Sequence, residues 1–140
     1  MELRSSPTPI ESDLLPAQGK LVLIAEDEDS NFIVLDMILR KTFKANIIRA
    51  KNGREAVDLA KEHSDVDLII MDIKMPEMDG LEATKLIKKF NNNVPIIAIT
   101  AFAMSGDEHK AIEAGCDAYL PKPISRSDLY NKLAVYGFVA

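Results

Sequence analysis

The chain alternates between short, unbroken apolar runs and longer stretches in which apolar residues recur every three or four positions. Three runs, Leu21–Ala25, Leu68–Met71 and Ile96–Ile99, are continuous and rich in Ile, Val and Leu. Strands buried on both faces of a parallel sheet have this pattern. Asn46–Ala50 and Ala118–Leu120 are shorter or more polar and read as edge strands. The stretches between them carry helix-start signals: Asn52 precedes Glu55, Asp79 precedes Glu82, Ser105 precedes Glu108 and Ser125 precedes Asp128. Each pair has capping-box spacing. The first helix is expected to begin near Asp29 or Ser30, with Phe32, Leu35, Ile38 and Leu39 facing inward. Gly115 suits the left-handed residue that closes the fourth helix, and Leu129 and Leu133 mark the inner face of the last. Residues 1–19, with Ser5, Ser6, Pro7, Pro9 and Pro16 and no apolar period, read as a disordered linker or leader.

Five β-α units in strict alternation predict an α/β domain, a doubly wound parallel sheet with helices on both faces. With the second and fifth strands at the edges, the order is 2-1-3-4-5. The first and third strands are then neighbours, and the chain reverses direction between them. Ligands in such sheets bind outside the carboxyl ends of the strands at this switch point. That argument alone brings Glu26, Asp27 and Asp72 together.

Composition narrows the partners. One domain accounts for 140 residues. A net charge of -5 argues against direct nucleic-acid binding, which relies on Lys and Arg neutralising phosphates. The single cysteine, Cys116, excludes an internal disulfide framework and fits a reducing compartment. No apolar stretch reaches the roughly 18 residues of a membrane span, and no signal-peptide pattern opens the chain. A cytoplasmic protein without direct membrane contact is expected, possible attachment to a membrane-bound kinase included.

Two carboxylates about 4 Å apart repel by about 4 kcal/mol at an effective dielectric near 20. Mg²⁺ relieves this with few protein oxygens and retained waters that a phosphate can displace. Thr100 and Lys122 end the fourth and fifth strands at the same rim. Alone, the threonine is ordinary strand chemistry and the lysine an ordinary surface cation. Beside the acids they complete a phosphoryl site: nucleophilic carboxylate, cation, hydroxyl donor and compensating ammonium. His63 and His109 lack partners at metal-ligand spacing and read as surface residues. Cys116 reads as a small packed hydrophobe, and Lys85, Lys88 and Lys89 as a solvated helix face.

Glu26-Asp27, Asp72 with Met75-Pro76-Glu77-Met78-Asp79-Gly80, Thr100, Tyr119 and Lys122-Pro123 stand in an order that resembles the receiver domains of two-component response regulators. The resemblance runs from about Lys20 to Tyr136 and implies one flavodoxin-like (βα)5 receiver over residues 20–140. It implies that Asp72 accepts a phosphoryl group from a phosphohistidine on a sensor histidine kinase or histidine phosphotransfer domain. Mg²⁺, with Mn²⁺ as a substitute, would be held by Asp27, Asp72 and the backbone carbonyl of Lys74, with Glu26 acting mostly through water. Thr100 and Lys122 would bind the phosphoryl oxygens, and Lys122-Pro123 would be cis. Thr100 and Tyr119 would form the switch that alters the surface of the fourth helix, fifth strand and fifth helix, read by a downstream effector or carrier. Met104, His109, Tyr119, Arg126 and Tyr130 are candidates for that surface. Lys74 and Phe102 occupy positions that tune acyl-phosphate hydrolysis in the family. Glu26 in place of the commoner Asp, together with the leader, suggests the C-terminal receiver of a hybrid sensor histidine kinase. The alternative is a free-standing single-domain regulator.

Rival functions fit less well. A Mg²⁺-dependent phosphohydrolase of aspartyl-phosphate type wants a carboxylate two residues after the nucleophile, where Lys74 stands. A nucleotide-binding module wants a Gly-rich loop after the first strand, where Glu-Asp-Glu-Asp would repel phosphates. A receiver that never takes phosphate would not need the complete acid, threonine and lysine set.

Overall fold

The computed structural model describes residues 19–101 and 106–139. Five strands, β1 (Leu21–Ala25), β2 (Asn46–Ala50), β3 (Leu68–Asp72), β4 (Ile96–Thr100) and β5 (Ala118–Pro121), form one parallel sheet of order β2-β1-β3-β4-β5. This is the expected order, with the expected reversal between β1 and β3. Five helices connect and follow the strands: α1 (Asp29–Met37), α2 (Gly53–Glu62), α3 (Gly80–Phe90), α4 (Asp107–Ala114) and α5 (Arg126–Val135). α1 ends in a π-helical turn, Ile38–Thr42. None of these helices is long and apolar enough to cross a membrane.

Strand alternation sorts the core into two layers. Val22, Ile24, Leu68, Ile70, Ile97 and Ile99 pack with Leu35, Leu39, Leu129 and Leu133 of α1 and α5. Leu23, Ile69, Met71, Ile96 and Ala98 pack with Ala56, Val57, Ala83, Ile87 and Ala111 of α2, α3 and α4. All residues of β3 and β4 are buried, as their unbroken apolar runs require. Each fully buried Leu, Ile or Val stabilises the fold by roughly 1.5–3 kcal/mol.

Three of the four anticipated caps form. Asn52, Asp79 and Ser125 accept the amides of Glu55, Glu82 and Asp128 at 2.8, 2.9 and 3.4 Å. The fourth, Ser105, lies outside the described residues, and Gly106 (φ +83°) occupies the cap position of α4. Gly115 closes α4 with φ +114°. The leader expected over residues 1–19 falls, but for Gly19, outside the described residues.

One surface expectation needs correction. Lys88 is not part of a solvated face: its ammonium donates to the carbonyls of Val94 and Asn92 at 2.7 and 3.4 Å and to Asp117 at 3.0 Å. Asp117 also accepts the amide of Ile96 at 2.9 Å. The lysine stem crosses the C-terminal end of α3 to reach acceptors brought there by the β4 and β5 starts, a long-range arrangement that helical spacing does not reveal.

Candidate functional site

Register places the acids. Ala25 pairs with Met71, so Glu26 and Asp72 follow on adjacent strands at the carboxyl edge. Glu26, Asp27 and Asp72 each offer a carboxylate oxygen, and the three atoms lie within 4.8 Å of one another. Glu26 and Asp72 are buried and Asp27 is exposed. Asp27, Glu28, Asp72, Lys74, Ala101 and Lys122 line a cleft of about 410 Å³.

The segment after Asp72 is pinned from both sides. Gly80 opens α3 and donates its amide to the carbonyl of Ile73 at 2.9 Å. A side chain at Gly80 would strike the carbonyl of Asp72 and the Cα of Ile73. Only glycine lets α3 start this close to the acid's own backbone. Met78 accepts the amide of Gly53 at 2.9 Å, which ties the same loop to the start of α2.

Lys122 spans the acids. Its ammonium lies 3.1 Å from Asp72 Oδ2 and 3.4 Å from Glu26 Oε1. The first contact is a hydrogen bond. The second has ion-pair distance without hydrogen-bond geometry, so Glu26 Oε1 is buried with no hydrogen bond among the described residues. Glu26 Oε2 accepts the Glu28 amide at 3.1 Å. Burial, and then the charge of Asp72, push the Glu26 pKa up to about 7. Burial works against the Lys122 ammonium, but Asp72 and then Glu26 outweigh it and raise its pKa. The Lys122 amide donates to the Thr100 carbonyl at 2.8 Å, and Lys122-Pro123 is cis.

Thr100 is fully buried, and its hydroxyl donates to Asp107 Oδ2 at 2.7 Å. Tyr119 is half-buried on β5, and the neighbouring Glu108 carboxylate raises its phenol pKa. Both contacts lead into the first turn of α4. The Lys74 amide donates to Asp72 Oδ1 at 3.3 Å. Phe102 and Met104 lie outside the described residues.

The cluster fits a hard divalent cation. Three carboxylates converge, one buried oxygen has no hydrogen bond among the described residues, and the Lys122 ammonium faces both buried acids. An oxygen-rich, partly open site of this charge is what Mg²⁺ requires.

Two of the residues assigned to the switch surface lie elsewhere. Tyr130 meets Phe43 edge to face with ring centroids 5.3 Å apart, and its hydroxyl is 3.5 Å from Thr42. Arg126 borders a cleft with Met37, Ile38, Lys41 and Thr42. Both therefore belong to the α1–α5 side, because α5 turns this face toward the end of α1. The groove on the β5–α5 side is lined by Tyr119, Leu120, Pro121, Asp128, Asn131, Lys132 and Val135. His109 and His63 pair with Glu113 and Glu62 on the surface, and Cys116 is buried beside Thr84.

Sequence reasoning missed Arg49 and the role of Asp107. The guanidinium of Arg49 donates to the Glu26 carbonyl and pairs with Asp29. A cation near the end of an edge strand was the available signal. Asp107 carried a weaker one, since it resembled another acid in a helix's first turn.

Residues 22–134 match the family model described as response regulator receiver domain. The polar-differentiation response regulator DivK of Brucella anthropi is 48% identical over 109 residues, covering 76% of this chain and 86% of that one. Among solved structures, the receiver domain of Saccharomyces cerevisiae Ssk1, determined with the histidine phosphotransfer signaling protein Ypd1, aligns with TM-score 0.78 and 36% identity over 86% of this chain and 90% of that one. The receiver domain of a Pseudomonas aeruginosa sensor histidine kinase, with a magnesium ion coordinated in its active-site cleft, aligns with TM-score 0.77 and 35% identity over 84% and 97% of the two chains.

Proposed function

The chain belongs to the response regulator receiver domain family, and from that premise we propose that Asp72 is the phosphoacceptor of a two-component signalling step. One observation carries the reading: the buried Asp72 carboxylate ends β3 at the mouth of an acidic cleft, with the Lys122 ammonium 3.1 Å away. In the reaction an Asp72 oxygen attacks the phosphorus of a phosphohistidine. The new O–P bond forms as the P–N bond breaks, and the imidazole leaves with the electron pair and takes a proton from solvent. Lys122 holds the carboxylate in place and afterwards neutralises a phosphoryl oxygen. Glu26, Asp27, Asp72 and the Lys74 carbonyl are the groups that would hold Mg²⁺, or Mn²⁺ in its place. When bound, the cation neutralises charge gathering on the transferring group.

Thr100 supplies the switch. Its hydroxyl must leave Asp107 to reach a phosphoryl oxygen, and that exchange loosens the first turn of α4. Tyr119, beside Glu108, would then turn inward and alter the α4-β5-α5 face for a downstream effector or carrier. Lys74, exposed at the cleft mouth, is the described candidate for tuning hydrolysis. Phe102 is proposed for the same task from the family pattern.

The partner presents a histidine on a helical surface. Ile33, Val34 and Met37 on α1 are about half exposed at 52%, 51% and 48%, and α1 begins directly after the acidic turn. Such an apolar patch beside the cleft favours docking of a kinase or histidine phosphotransfer domain, the class of protein with which the Ssk1 receiver was solved. The match covers most of the length of DivK, which favours the free-standing regulator over a hybrid-kinase receiver. Cytoplasmic residence belongs to this reading.

Incubation with Mg²⁺ and acetyl phosphate, followed by intact mass measurement, tests it. One phosphoryl group should be added, and EDTA should prevent the addition. No added group, or one retained by Asp72→Asn, refutes the proposal.

A further inference from the structure

Arg49 is engaged on three sides near the end of β2. Its Nε and Nη2 both donate to the Glu26 carbonyl, at 3.2 and 3.0 Å. Its Nη1 pairs with Asp29 at 2.8 Å, and its Cζ lies 4.5 Å from the centroid of the Phe32 ring. The arginine side chain is only 19% exposed. All three contacts fall on one short stretch, from the end of β1 into the first turn of α1. That stretch carries two of the three clustered carboxylates.

We infer that Arg49 is a positioning residue of the cation site, acting on the peptide that joins Glu26 to Asp27. The carbonyl it grips belongs to that peptide, so the fork fixes the plane from which both acidic residues depart. Asp27 depends on this most. Among the described residues its carboxylate makes no hydrogen bond or ion pair, so its backbone alone directs it. Register supports the same role: Arg49 pairs with Ile24 and Ala50 with Ala25, and the Glu26 amide donates to the Ala50 carbonyl at 3.0 Å. Arg49 therefore extends the β1–β2 ladder one step beyond the backbone. A lysine cannot reproduce this hold, because it lacks the planar fork and stacks less well on an aromatic ring.

Charge alone predicts something different. A cation beside an acidic cluster opposes a second cation, so its removal would tighten Mg²⁺ binding. Positioning predicts the reverse, since a turn free to rotate must be ordered anew at each binding event.

This inference rests on the phosphoacceptor reading for its purpose, but two of its measurements do not. Full-length Arg49→Lys and Arg49→Gln are compared with the unaltered protein. In the metal-free state, amide exchange at Glu26 and Glu28 should quicken at least tenfold in both variants. Calorimetric titration with Mg²⁺ alone should give a Kd raised at least fivefold in both. The acetyl phosphate rate should show the same rise in half-saturating Mg²⁺ while its value at saturating Mg²⁺ stays within about twofold. Unchanged exchange and Kd overturn the inference. So does Arg49→Lys behaving as the unaltered protein while Arg49→Gln binds Mg²⁺ more tightly, which is the charge outcome. A saturating rate that falls along with melting temperature would make Arg49 a general fold support and overturn it too. If the unaltered protein takes no phosphoryl group, the functional reading fails, while exchange and Mg²⁺ titration still decide the role of Arg49.

Discussion

Lys122 serves two carboxylates at once, 3.1 Å from Asp72 and 3.4 Å from Glu26, and its side chain is 22% exposed. Replacing it with Met leaves both acids without their shared cation. Phosphorylation of Asp72 from acetyl phosphate should slow on the order of 100-fold, measured by intact mass over time. Mg²⁺ should bind the variant more tightly, because a competing positive charge has gone. Glu26 yields a pH prediction. Its folded-state pKa is raised to about 7 from 4.5, so between those values the folded chain holds more protons than the unfolded one. Stability of the metal-free protein should therefore be fullest below the unfolded value. It should fall through that window by roughly 3 kcal/mol at most. Urea melts in EDTA at about pH 5 and about pH 8 measure the fall, and Glu26→Gln should flatten it. At this scale the sequence revealed much. Asp72, Thr100 and Lys122 end apolar runs, where a polar group stands out. Arg49 and Asp107 did not stand out, because their partners become neighbours only once β2 and α4 have docked.

Among elements, the contact between β4 and α4 matters most. Thr100 Oγ1 donates to the buried Asp107 at 2.7 Å, so a hydroxyl of the site fastens the first turn of α4. Asp107→Ala should cost about 1–3 kcal/mol of stability, the worth of a buried charge-assisted bond. It should also move the amide resonances of Tyr119 and α4 toward their positions in the phosphorylated unaltered protein. Resonances that stay in place would leave the bond without a part in switching. At the start of α3, Gly80→Ala should destabilise the fold by about 1–3 kcal/mol, because the added carbon meets the backbone of Asp72 and Ile73. Thermal melts read that loss. Helix starts were legible wherever the cap is a local event, as at Asn52, Asp79 and Ser125. The side of the molecule faced by Tyr130 and Arg126 was not. It depends on how α5 lies against α1, and helical periodicity gives an inner face without naming the neighbour beside it.

At the scale of the molecule, strand order does the organising. The reversal between β1 and β3 brings two acidic strand ends together, and β4 and β5 add Thr100 and Lys122 along the same edge. Order and fold class followed from alternation and burial, both written into the apolar pattern. Two surfaces lead away from that edge: the exposed α1 residues Ile33, Val34 and Met37, which the proposed function assigns to the phosphoryl donor, and the β5–α5 groove around Tyr119, which it assigns to the downstream reader. In the proposed function the two are joined, a phosphoryl group received beside one surface being sensed at the other. The most direct test of that function is peptide mapping of the chain after treatment with Mg²⁺ and acetyl phosphate, using borohydride to trap the acyl phosphate. A single trapped residue, Asp72, is expected. A trapped group on any other residue, or none at all, would contradict it.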